Sequence, residues 1–178
     1  MVVCKSDNYD YLKQSIQSVI DQTLKPGEII LIINGYFDTQ NIDDLHERSG
    51  SENVLHLHGK LRESKSTLDY SVFPVLGTEL NLGEFCPKGA QLRPKVVWFG
   101  ESVPKMEEAI NLVLQAEIFI IIGTSLNVYP AASLLNYAEK AKKIIIDPNA
   151  NSQEGIETIQ QKASIAVPKL VDDLLCFA

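Results

Sequence analysis

The sequence predicts an α/β fold: one domain over residues 1–178 built on a doubly wound, mostly parallel sheet, with an irregular excursion at about residues 60–94. Three observations predict it. Short β-branched runs alternate with helical patterns along almost the whole chain. The runs are apolar on both faces, which suits strands covered on both sides. The length of 178 residues and a hydrophobic fraction of 45% are enough for one domain with a sizeable core.

In chain order, a strand is expected at residues 2–4 and a helix over 9–22, where Leu12, Ile16, Val19 and Ile20 share one stripe. Residues 29–33, 54–57, 96–99, 118–122, 144–146 and 165–167 read as strands of the main sheet. Helices are expected over 106–116, after Pro104, and over 130–141 and 168–176, each with a proline in its first turn. Between residues 60 and 94, Gly77, Gly83, Gly89, Pro74 and Pro87 break any sustained period, so an irregular excursion is expected, with short strands around 71–76.

Charge and cysteine usage narrow the function. Sixteen basic against 23 acidic residues give a net charge of −7. Such a surface argues against nucleic-acid binding, which needs clustered Lys and Arg, and against a polybasic membrane anchor. The three cysteines, Cys4, Cys86 and Cys176, form no C-x-x-C, so a disulfide framework and a four-cysteine zinc site are both excluded by counting. Lys5 and Asp7 stand where a signal peptide would need its apolar stretch, and the longest apolar runs are strand-sized. The expected location is the cytoplasm.

Ligands of open parallel sheets bind beyond the carboxyl ends of strands, so the residues after each run are the candidates. Asn34-Gly35 follows the first long run, His58-Gly59 the second, Phe99-Gly100-Glu101 the third and Gly123-Thr124-Ser125 the fourth. Gly123-Thr124-Ser125 offers close approach, two hydroxyls and free amides to a phosphate or ribose, but it equally suits a plain strand-end turn. His56 and His58 alternate to one strand face. With no third ligand beside them, a structural role competes with a metal pair, and His58 stands where a general base would be needed. Asp43 and Asp44 start a short helix, where they also complement its dipole.

Taken together these strings resemble the sirtuins, NAD-dependent protein deacylases of Rossmann-like fold. The resemblance runs through Thr39-Gln40-Asn41-Ile42-Asp43-Asp44-Leu45-His46-Glu47-Arg48, His56-Leu57-His58-Gly59, Leu92-Arg93-Pro94-Lys95-Val96-Val97-Trp98-Phe99-Gly100-Glu101 and Gly123-Thr124-Ser125-Leu126-Asn127-Val128-Tyr129-Pro130-Ala131-Ala132, and covers residues 39–178. It implies NAD as cofactor and an acyl-lysine peptide or protein as partner, with neither nucleic acid nor membrane. His58 resembles the base that deprotonates the cofactor ribose. Gln40, Asn41, Ile42 and Asp43 match the ribose and nicotinamide pocket. Gly123, Thr124 and Ser125 match the phosphate and ribose site, Asp147-Pro148-Asn149 the adenine-ribose position, and Ala163, before an expected last strand, the adenine-side loop. Val97, Phe99, Gly100 and Glu101 match the loop that pairs with an extended acyl-lysine peptide. Zinc is implied to be absent, as in the zinc-free branch, because the interval that holds four cysteines in other members offers only Cys86.

Two departures shape the expectation. Sirtuins open with a strand into Gly-Ala-Gly, yet no two of the ten glycines are separated by a single residue, so G-x-G is absent from this chain. Residues 1–36 instead resemble the opening βαβ unit of inverting GT-A-type glycosyltransferases, carried by Ser6-Asp7-Asn8, Tyr11-Leu12, Ser15-Ile16, Ser18-Val19, Asp21-Gln22-Thr23 and Lys25-Pro26-Gly27-Glu28-Ile29-Ile30. Asn34 stands where that family keeps an acidic residue, and no D-x-D follows. The resemblances therefore imply a chimera-like chain, with a glycosyltransferase-like opening over 1–38 and a sirtuin-like body over 39–178. The expected function is a deacylase weakened in NAD binding; the alternatives are a catalytically silent α/β chimera or a glycosyltransferase fragment.

Overall fold

A computed structural model describes residues 29–32, 36–39, 42–48, 51, 53–124, 126 and 129–176. In chain order these form strands β1 (Ile29–Ile32) and β2 (Tyr36–Thr39), helix α1 (Leu45–Arg48), strands β3 (Val54–His56), β4 (Gly59–Ser66), β5 (Val72–Pro74) and β6 (Leu92–Val96), and helix α2 (Met106–Leu114). Strand β7 (Ile118–Ile122), a 3-10 turn at Ala131–Ser133, helix α3 (Leu134–Tyr137), strands β8 (Lys142–Ile146) and β9 (Ile156–Ile159), and helix α4 (Ala163–Cys176) follow. The expected strand at 2–4, the expected helix over 9–22 and most of the glycosyltransferase-like unit lie outside the described residues.

The main sheet has the order β3-β2-β1-β7-β8-β9. β2–β3, β7–β8 and β8–β9 pair in parallel, and β1 alone runs antiparallel, to both β2 and β7. Strands β2, β3, β7, β8 and β9 therefore all point the same way. β1 was expected to run with them. Its connection to β2 is only residues 33–35, and so short a link joins antiparallel neighbours, since a parallel pair needs a crossover of a dozen or more residues.

Alternation along β7 and β8 explains the three layers. Ile120, Ile122, Ile144 and Ile146 face α4, packing with Ala166, Val167, Leu170 and Val171. Phe119, Ile121 and Ile145 face the other side, against Ala109 and Val113 of α2, Ala131 of the 3-10 turn and Leu134 of α3. A strand buried on both faces must be apolar at every buried position, which is why residues 118–122 and 144–146 are Ile and Phe alone.

Three other expectations are corrected. Residues 165–167 are helical, inside α4: Ala166, Val167, Leu170 and Val171 make an i, i+1, i+4, i+5 stripe on the sheet, and Pro168 lies within the helix rather than at its start. The last strand is β9, whose Ile-Glu-Thr-Ile alternation belongs to an edge, with Glu157 exposed and 2.9 Å from Lys142. Residues 96–99 do not join the main sheet. Val96 ends β6, and Trp98 and Phe99 stand exposed beyond it.

The excursion at 60–94 is more regular than expected. β5-β4-β6 form a separate antiparallel sheet, with an irregularity between Lys60 and Ser64. Its tight point is Ser66, whose hydroxyl lies 3.4 Å from the Sγ of buried Cys86. Among the described residues no three His, Cys, Asp or Glu gather as a metal site, and no helix is long and apolar enough to cross a membrane.

Candidate active site at one edge of the sheet

Since only β1 is reversed, the carboxyl ends of β2, β3, β7, β8 and β9 share one edge of the sheet. Nearly every sequence-predicted site residue follows one of these ends. Gln40, Asn41, Ile42 and Asp43 come after β2, His58 after β3, Gly123, Thr124 and Ser125 after β7, and Asp147, Pro148 and Asn149 after β8. Of these, Gln40, Asn41 and Ser125 lie outside the described residues.

At the β7–β8 ends the neighbours are fixed by register. Ile122 pairs with Ile146, and the Gly123 amide donates to the Ile146 carbonyl at 2.9 Å, which puts Gly123 beside Asp147. Asp147 Oδ1 accepts the Asn149 amide at 2.7 Å, so its carboxylate is held at the strand end. Thr124 is buried and its Oγ1 accepts the Leu126 amide at 3.0 Å. Ala163 is the first residue of α4, after β9, not the residue before a strand.

At the β2–β3 ends, Asp43 Oδ1 accepts the Leu45 amide at 3.0 Å and so caps the entry to α1. The Ile42 carbonyl accepts the Leu61 amide at 2.6 Å. His46 is buried, and burial lowers its pKa against the opposing pull of Asp43 and Glu47. Glu47 Oε1 lies 2.8 Å from both His56 Nε2 and Lys60 Nζ. Burial pushes the Glu47 carboxyl up, but the bonds from Lys60 and His56 outweigh it and leave the pKa below its ordinary value. His58 is half-buried in the turn that joins β3 to β4.

The predicted substrate loop meets the site directly. The Val97 amide donates to the His58 carbonyl at 2.9 Å. Beyond it, residues 98–101 form a turn closed by the Glu101 amide on the Trp98 carbonyl at 2.9 Å. Arg93 grips Glu101 through two bonds, at 2.7 and 3.2 Å, and its guanidinium lies 4.6 Å from the centre of the Trp98 ring. The Arg93 bonds hold the Glu101 carboxyl down at about 2. Phe99 at the tip is fully exposed. A cleft of about 740 Å³ opens behind this loop, lined by His56, Lys60, Lys65, Tyr70, Arg93 and Glu101 among others.

Sequence reasoning gave no role to Glu47, Lys60 or Arg93. Arg93 stood in a quoted motif, eight residues before an invitingly placed Glu101, and that opposite charge was the available signal. Glu47 carried no signal in the sequence, because its partners come from two other elements, β3 and β4.

The fold and this edge define a doubly wound α/β domain whose candidate polar groups follow strand carboxyl ends along one edge of the sheet. A sequence model of the Sir2 family matches residues 33–130, more than half of the chain, and this chain belongs to that family. The NAD-dependent protein deacylase of Helicobacter pylori (strain ATCC 700392 / 26695) is 48% identical over 141 residues, covering 77% of this chain and 62% of the relative. That of Vibrio parahaemolyticus serotype O3:K6 is 36% identical over 181 residues, covering 93% and 75%. Among solved structures, a Sir2 homologue in complex with NAD matches with a TM-score of 0.72 and 32% identity, over 93% of this chain and 64% of that one. The chain thus spans about 60% of the length of its Helicobacter relatives. These relatives carry the deacylase or Sir2 name, and the glycosyltransferase resemblance of residues 1–36 has no support among them.

Proposed function

We propose that this chain is the body of an NAD-dependent protein lysine deacylase in which His58 is the general base. The observation that carries the reading is the shared edge: His58, the Ile42–Asp43 segment, Gly123 and Asp147 all follow strands that end on the same side, and the substrate loop is tied to the His58 carbonyl. The donor set fits a dinucleotide in part. Asp147 supplies a carboxylate for ribose hydroxyls, beside a small strand-end turn at Gly123 and Thr124. The relatives' shared name and the NAD complex of a 32%-identical homologue support the same cofactor.

NAD, when bound, would supply a ribosyl carbon that receives the acyl carbonyl oxygen as its bond to nicotinamide breaks. Asp147 and the Gly123–Thr124 turn, with Ser125, would hold its ribose and phosphates, and Gln40, Asn41, Ile42 and Asp43 would serve the nicotinamide side. His58 takes a ribose hydroxyl proton onto its imidazole. Val97, Phe99, Gly100 and Glu101 present the acyl-lysine segment, and the Arg93–Glu101 pair keeps that loop in one shape. The partners are acyl-lysine peptides or proteins, and the −7 charge and lone cysteines favour a cytoplasmic setting without nucleic acid or membrane.

The 178-residue chain itself binds NAD weakly. It contains no G-x-G, and losing two or three charge-assisted hydrogen bonds at ~1.5–3 kcal/mol each weakens affinity by roughly two to several orders of magnitude. NAD calorimetry, with nicotinamide release from an acetyl-lysine peptide at millimolar NAD, tests both parts. Weak binding with slow release that stops in His58→Ala is expected. Release that survives His58→Ala would remove His58 from the reaction. Fast release that stops in the variant would overturn the weak-binding part alone.

A further inference from the structure

The segment that carries His58 is tied on both sides to the segment that begins with the candidate cofactor loop. Before His58, His56 Nε2 lies 2.8 Å from Glu47 Oε1. After it, Lys60 Nζ donates to the same oxygen at 2.8 Å, the Leu61 amide donates to the Ile42 carbonyl at 2.6 Å, and Arg62 stands 3.9 Å from Asp44. One carboxylate oxygen thus spans residues 56 and 60, with His58 midway between them.

We propose that Glu47, acting through His56 and Lys60, is a positioning residue that fixes the His58 imidazole against the Ile42–Asp44 segment. The proposal rests on His58 being the base of the reading above. A catalytic base must be held within a fraction of an ångström, and a turn between two strands does not do this unaided. The chain offers the needed support at low entropic cost, because α1, β3 and β4 are already ordered and Glu47 needs only its own side chain fixed. The buried, bridged environment also suits the task. His56 is buried, and Glu47 is about two-thirds covered, so the bonds are shielded from competing water. A purely stabilising pair would need no placement on either side of His58, and a surface ion pair would contribute little.

The chain has only three histidines, so their imidazole proton signals can be followed individually by nuclear magnetic resonance once each is assigned by substitution. The test compares wild type, Glu47→Gln, Glu47→Ala and Lys60→Met by those signals and by amide hydrogen exchange, without nucleotide and then with ADP-ribose. In Glu47→Ala the His58 signal should move or broaden, and amides 57–61 should exchange about tenfold faster, equivalent to ~1.4 kcal/mol of local opening. Amides of β7 and β8 should be unchanged. Glu47→Gln keeps an acceptor oxygen and should fall between. An unmoved His58 signal, or faster exchange spread evenly over β7 and β8, overturns the proposal. If Glu47→Ala does not fold, Lys60→Met, which removes one of the two bonds, carries the same comparison. ADP-ribose should perturb the His58 signal in the wild type and less in Glu47→Ala. Failure of ADP-ribose to perturb the wild type counts against the cofactor reading, while the nucleotide-free comparison still decides the role of Glu47.

Discussion

Gly59 is the position where one added methyl group should do most damage to the site. It follows His58 and opens β4 with φ +89°, a left-handed value that L side chains rarely adopt. A Cβ there would sit 2.0 Å from the Lys95 carbonyl oxygen and 2.9 Å from its carbon, and both are backbone atoms that cannot rotate away. The backbone conformation alone costs ~1–3 kcal/mol. Relieving the contact means separating β4 from β6 where Gly59 faces Val96 and Lys60 faces Lys95. That separation loses one or two hydrogen bonds at ~0.5–1.5 kcal/mol each. Gly59→Ala should therefore cost about 1.5–6 kcal/mol, which lowers the melting temperature by about 3–24 °C in a domain of this size. The control is Gly100→Ala: its φ is also +89°, but nothing lies within 4 Å of the added atom. It should cost only that conformational ~1–3 kcal/mol, or about 2–12 °C. Thermal unfolding followed by circular dichroism compares the two. Equal melting temperatures for the two variants would refute the argument, since they share a φ and differ only in what the methyl group meets.

Two further predictions use the same structure. Trp98 is the single tryptophan, stacked on Arg93, so its fluorescence reports the loop at residues 97–101. The Glu101 carboxyl is held at about 2 in the folded chain against an ordinary 4.5, so the Arg93–Glu101 lock is complete above about 4.5 and is lost as pH falls toward 2. The Trp98 signal should titrate within that window, and Arg93→Met should move the midpoint up toward 4.5; an unmoved midpoint would show that Arg93 does not hold the carboxylate. Phe119→Ala removes a fully buried ring from the face of β7 opposite α4. It should cost ~3–5 kcal/mol in chemical denaturation, and a loss below ~1 kcal/mol would mean that this layer is not packed as described.

What the sequence disclosed follows from where burial is total. The Ile runs of β7 and β8 were readable because both faces are covered, leaving no polar residue to break them. The same criterion missed β9, an edge strand with Glu157 in the wet position, and misassigned 165–167, where exposed Ile165 precedes Ala166 and Val167 of the α4 stripe and makes a strand-like string. It also placed 96–99 in the main sheet. Val97, Trp98 and Phe99 lie in a loop, with Phe99 wholly exposed, and periodicity cannot tell an apolar loop from a buried strand. Of the polar sheet at 59–96 only the short strand near 71–76 was legible, as β5; the rest was not, because too little of it is buried to impose a pattern.

The strand ends that carry the candidates were more legible than the topology, and the reversed strand explains how both can be true. The reasoning from strand ends needs only that site-bearing strands point the same way; it does not need every strand to do so. β1 is the exception, and its carboxyl end lies at the opposite edge of the sheet from those of β2, β3, β7 and β8. Of the strand-end candidates in the main sheet, the Asn34-Gly35 step is therefore the one that follows a strand ending away from the others. The remaining steps converge because right-pointing neighbours β2 and β3 on one side and β7 and β8 on the other flank β1, so reversing it leaves the edge they share intact. Positioning is then the part that sequence cannot supply: Glu47 and Arg93 act through partners brought by register and turn geometry, at His56 and Lys60 for one and at Glu101 and Trp98 for the other.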